Sequence, residues 1–145
     1  MKAKDLTKLI DYSKLRFKVS KTMRYDDVGD YYDLNVIAYD MKNPIITNAI
    51  MLHEFIEYTL IRSAGISVSM IDAFDTDEKA PKKHKMEYDL YCKYHRIADN
   101  VERYFIKNMG MDWKNYQKAI YEESVKVKPL KKKTLVKLAK STKFR

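Results

Sequence analysis

The sequence predicts an α+β fold: a small N-terminal antiparallel β-sheet packed on about three main α-helices, followed by a basic C-terminal tail. Two runs between residues 15 and 39 alternate apolar and polar side chains, the signature of strands. Two longer stretches, 43–65 and 83–109, repeat apolar residues at the helical period instead. With 145 residues, 46% of them hydrophobic, and only 3 Gly and 3 Pro, the chain can build one sizeable, helix-rich core, which the patterning places within residues 1–125.

Residues 3–12 suit a short amphipathic helix through Leu6, Leu9 and Ile10. From Leu15 to Met23, Leu15, Phe17 and Val19 alternate with Arg16, Lys18 and Ser20, which reads as a half-buried strand. The stretch YDDVGDYY, residues 25–32, reads as a turn pivoting on Gly29, and residues 33–39 as a second strand antiparallel to the first.

The helix over 43–65 is punctuated at both ends, by Asn43 as N-cap with Pro44 behind it and by Gly65 at the close. Its apolar stripe collects Ile46, Ala49, Ile50, Leu60, Ile61 and Ala64, while Met51, Leu52 and Phe55 lie off it, so the helix is expected to be covered on more than one side. His53 and Glu57 fall in the middle of that stripe. A buried carboxylate without a partner costs several kcal/mol or changes its protonation, so an inward Glu one turn from an inward His calls for compensation. A divalent metal compensates both, because i, i+4 side chains converge on one point, and Glu54 at the stripe's edge stands where it could act on a water held there. The result is H-E-x-x-E, a variant of the H-E-x-x-H arrangement with Glu in place of the second His. Hydrogen bonds from some of the 12 tyrosines are the metal-free way to satisfy the same pair.

Beyond Gly65, Ser67 marks the start of a short helix, with a turn over 75–81; Asp72 and Asp77 read as helix caps, while Asp75 closes the triplet begun by Ala73 and Phe74. The helix over 83–109 repeats the oddity of the first. Its stripe of Tyr91, Tyr94, Ala98, Val101, Phe105 and Met109 also contains His95 and Glu102. Two helices that each turn a His and a Glu inward point to a shared metal, with His53, Glu57 and His95 as ligands. Glu102 is then either a fourth ligand or the carboxylate that orients His95 through its other ring nitrogen. Imidazole and carboxylate donors suit Zn²⁺. The single Cys92 excludes an internal disulfide and a cysteine cage and reads as a packing residue, and His84, in a Lys-rich turn, as a surface or gate residue. Gly110 ends this helix; Asp112 caps a last one over 113–123 that packs Trp113, Tyr116, Ile120 and Tyr121 on the core.

Residues 126–145 hold nine of the 29 basic side chains and no acid, leaving 20 basic against 20 acidic residues in the rest. The tail is expected to associate loosely with nucleic acid or another polyanion, without base-reading chemistry. No apolar run approaches the roughly 18 residues of a membrane span and the first residues lack a secretory core, so a cytoplasmic protein is expected.

Several motifs then combine. Tyr25, Asp26, Val28, Gly29, Asp30 and Tyr31 form a Tyr-Asp-x-Val-Gly-Asp-aromatic turn; His53, Glu54 and Glu57 form the helix motif, and Ala73, Phe74 and Asp75 a triplet. His95, Ala98, Glu102 and Arg103 follow, then Gly110, Asp112, Trp113 and Tyr116. Over about two thirds of the chain this combination resembles a family of short, mostly phage-encoded proteins. The resemblance implies a phage or prophage-like origin, in the host cytoplasm or with virion components as partners, and a zincin-like metal site.

The leading expectation is a zinc-dependent, peptidase-like hydrolase with Glu54 as catalytic base. An all-helical nucleotide pyrophosphohydrolase using Mg²⁺ or Mn²⁺ is the alternative, in which Glu54 and Glu57 face Asp99 and Glu102; the helical wheel turns Asp99 away from the stripe and counts against it. A third reading is a non-enzymatic phage structural or DNA-associated protein with a structural metal site.

Overall fold

The computed structural model describes residues 9–129. Among them it shows an α+β fold with strands β1 (Arg16–Ser20), β2 (Gly29–Tyr32) and β3 (Asn35–Tyr39), and helices α1 (Pro44–Ser63), α2 (Val68–Thr76), α3 (Ala80–Lys83), α4 (Lys85–Asn108) and α5 (Trp113–Ser124). Most of the helix expected over 3–12, and most of the basic tail, lie outside the described residues; residues 9–11 are not helical, and a single 3-10 turn follows at Tyr12–Lys14.

The sheet is mixed, not a simple antiparallel pair. Its order is β1-β3-β2, with β1 parallel and β2 antiparallel to β3. The stretch expected to be a turn around Gly29 is itself the third strand. The tight turn falls at Asp33 and Leu34, whose φ angles of 49° and 61° are those of a two-residue hairpin that follows the sheet's twist. Asn35 braces it by donating to the carbonyls of Tyr32 and Asp33, and the Leu34 N–H donates to Tyr58. β1 does pair with β3 as expected, but in parallel, and it forms the edge opposite β2. Its apolar residues are therefore more open than a half-buried strand implies, Phe17 and Val19 being 54% and 57% exposed, with Phe17 resting edge-on against Phe55.

Helix α1 lies between the sheet and α4 and is buried on two sides, as its wide apolar surface requires. The Asn43 side chain accepts from the Ile45 N–H at its start. Its end is a Schellman closure: Gly65 takes φ 79°, its N–H donates to Arg62, and the Ile66 N–H donates to Ile61, bringing those two buried isoleucines together. Helix α4 ends the same way at Gly110, φ 75°, with Met111 donating to Ile106. Repeating this device fixes where both long helices stop.

Asp72 is not a cap. With Asp30 of β2 it receives the Arg24 guanidinium, at 2.8 and 3.0 Å to Asp72 and 3.0 Å twice to Asp30, and the guanidinium lies over the rings of Tyr25 and Tyr32. This half-buried bidentate clamp ties α2 to the sheet. At the other end the packed body continues past 125: Val127 is buried against the core and Pro129 bridges to Met23. No helix among the described residues is long and apolar enough to cross a membrane.

Candidate metal centre

The inward His and Glu of α1 meet those of α4 at the centre of the α1/α4 contact. His53, Glu54, Glu57, His95 and Glu102 are all buried. His53 Nε2 stands 3.1 Å from Glu57 Oε2, and His95 Nδ1 stands 2.8 Å from the same oxygen. The two rings meet edge to face with centroids 4.7 Å apart. Ligand atoms of His53, Glu57 and His95 all lie within 4.8 Å of one another, close enough to share one ion.

The other oxygen of Glu57 is taken by the Tyr31 hydroxyl, which donates at 2.7 Å, so β2 holds Oε2 toward the imidazoles. Burial pushes the Glu57 carboxyl up, but the imidazoles of His95 and His53 outweigh it and hold the group well below the usual carboxylate range. Tyr31 moves the opposite way: burial and the Glu57 charge raise its phenol well above 10.0, so it remains a donor. Tyr31 stacks on Tyr58, which carries the hairpin turn, and the same aromatic pair therefore positions both turn and carboxylate.

Glu102 stands against the other histidine than expected. Its Oε1 stands 2.6 Å from His53 Nδ1, while its Oε2 accepts from the Tyr116 hydroxyl of α5. Glu102 and His95 share α4, but the crossing of the helices sets Glu102 against the ring of α1. Asp99, which the helical wheel turns away, also reaches the site, with Oδ1 3.3 Å from His53 Nδ1 and Oδ2 3.6 Å from His95 Nε2. His53, Asp99 and Glu102 form a second group able to hold an ion. Asp99 stands one turn after His95, the spacing that could have flagged it. Tyr31 and Tyr116 stand in two of the motifs, and tyrosine hydroxyls are expected near the inward pair, but no local pattern tells which of the 12 meets which carboxylate.

All four ring nitrogens thus face carboxylate oxygens, while two neutral imidazoles carry only two N–H groups. Two more protons would satisfy the arrangement, and so would one divalent cation held by His53, Glu57 and His95. The donor set therefore fits a metal ion.

Glu54 lies outside both groups but in the same buried region, where its charge acts on Tyr31 and Tyr91. Its room comes from Gly29: a Cβ there would stand 2.4 Å from Glu54 Oε1. Burial, then Asp75, Glu57 and Glu54, push the Tyr91 phenol well above its ordinary value. Asp75 is buried as well, while His84 belongs to neither metal-holding group and Cys92 is half-buried. The side nearest solvent is marked by Asp99, whose side chain is 25% exposed against 0% for His53.

No protein-family model, curated protein or solved structure matches the chain. The buried cluster is therefore the feature of the chain that points to a function.

Proposed function

We propose that the protein is a zinc-dependent hydrolase, with His53, Glu57 and His95 holding the ion and Glu54 acting as general base. The observation that carries it is the approach of His53 Nε2 and His95 Nδ1 to one Glu57 oxygen in the protein interior. Two imidazoles and one carboxylate favour zinc over Mg²⁺ or Mn²⁺, which prefer oxygen. When bound, zinc supplies Lewis-acid chemistry, polarising a carbonyl and making water more acidic. The chain's own groups do the rest. Glu102, 2.6 Å from His53 Nδ1, favours the proton on that nitrogen and so turns the Nε2 lone pair inward; Tyr31 holds Glu57 in place; Glu54, buried in the same region, takes a proton from the attacking water. An amide is the substrate suggested by likeness to H-E-x-x-H alone. The motif resemblance adds a phage or prophage-like origin to this proposal.

The Mg²⁺-dependent pyrophosphohydrolase reading gains from Asp99 standing beside Glu102 at the site. It ranks second because Glu57 and the Asp99–Glu102 pair flank opposite nitrogens of His53, so the ring divides the carboxylates that an oxygen cage would need together.

Elemental analysis of the purified protein should find about one zinc per chain, lost in His95→Ala. Glu54→Gln should keep the zinc and lose at least 100-fold in turnover of an amide substrate. Full activity in Glu54→Gln would end this mechanism, and zinc retained without any hydrolysis in the native protein would favour a structural site.

A further inference from the structure

Asp99 has no part in the hydrolytic reading, yet its carboxylate spans both imidazoles from the side opposite Glu57. Its Oδ1 stands 3.3 Å from His53 Nδ1 and its Oδ2 3.6 Å from His95 Nε2. The closer carboxylate on the His53 nitrogen is Glu102, at 2.6 Å. His95 has a different need. It presents Nδ1 inward, 2.8 Å from Glu57 Oε2, and that nitrogen can offer a lone pair to a cation only when the ring proton sits on Nε2. Asp99, one helical turn further along α4, is a carboxylate facing that Nε2, and a small side-chain rotation completes the contact.

We infer that Asp99 is a positioning residue that keeps the His95 proton on Nε2 and its Nδ1 lone pair aimed at the cation shared with His53 and Glu57. The inference rests on the metal reading above. It makes the site symmetrical in chemistry: each imidazole ligand is backed by its own carboxylate, Glu102 for His53 and Asp99 for His95. An ion beside Glu57 Oε2 would have the rings between it and Asp99, which is why Asp99 is assigned to hold the ring and not the metal.

The test compares zinc affinity, by competition with a chromophoric chelator, and the ¹⁵N signature of the histidine rings in the zinc-loaded protein. The native chain should coordinate through Nδ1 of His95 and Nε2 of His53. Asp99→Ala should bind zinc roughly 10- to 100-fold more weakly and show a mixed His95 pattern, with the metal-free thermal midpoint little changed. Asp99→Asn, whose side-chain oxygen still accepts a hydrogen bond, should recover most of the affinity and the native pattern; Asp99→Ser replaces the Ala variant if that one fails to fold. Native affinity and an unchanged His95 pattern in Asp99→Ala would overturn the inference while leaving the metal reading intact. Asn failing as fully as Ala, with loss of an oxygen neighbour from the zinc absorption spectrum, would make Asp99 a ligand and also overturn it. A native protein that binds no zinc would overturn both.

Discussion

A methyl group on Gly29 would lie 2.4 Å from Glu54 Oε1 and 2.7 Å from its Cγ, well inside contact distance. Glu54 is buried and cannot swing into water to relieve the clash. Gly29→Ala should therefore cost about 1–3 kcal/mol in chemical denaturation, and the cost should shrink sharply when Glu54 is already Ala. An equal penalty in both backgrounds would show that Glu54 is not what the glycine accommodates. The glycine was visible in the sequence, but its use was not. A glycine suggests a turn, whereas here it leaves space for a side chain 25 positions on in another element, and Gly29 is absent from the positive-φ glycines.

Between elements, the hydroxyl of Tyr116 joins α5 to the α1/α4 pair by donating to Glu102. Tyr116→Phe keeps the ring's packing and removes that donor from a buried carboxylate. It should destabilise the fold by about 1–3 kcal/mol and weaken zinc binding as Glu102 relaxes from His53. Denaturation midpoints and a zinc titration on the same variant would check both effects; an unaltered zinc affinity would detach α5 from the site. The helices were the legible elements. Asn43, Gly65, Gly110 and Asp112 punctuate α1, α4 and α5 where the structure begins and ends them within a residue or two. The sheet was less so, because alternation marks a strand without naming its neighbour or direction, and β1 found its partner in β3, beyond β2 in the chain.

For the molecule as a whole, a metal bound only by the folded state should raise its stability. Zinc at 100 times its dissociation constant should add about 2.7 kcal/mol, seen as a rise of several degrees in Tm that a chelator reverses; a Tm indifferent to zinc would count against a native site. Alkaline pH should work the other way. The native phenols of Tyr31 and Tyr91 are raised well above 10.0, so below that pH both states keep them protonated and nothing changes. Above it the unfolded chain ionises first, and stability falls as pH rises from about 10 toward the native values. Circular dichroism followed with phenolate absorbance should show part of the 12 tyrosines ionising only as the fold is lost. Smooth titration of every tyrosine in folded protein would contradict their burial.

By itself the sequence determined the two long helices, their ends, and the placing of His53, Glu57, His95 and Glu102 on inward faces. Each of these follows from a short repeat and local capping chemistry, which a linear text carries. Only the tertiary structure decided which ring nitrogen meets which carboxylate, that Asp99 reaches the site, that Glu102 stands against His53, and that β3 lies between its neighbours. Those outcomes depend on how α1 and α4 cross and on which strand closes the sheet, and such contacts join residues tens of positions apart that no local pattern links.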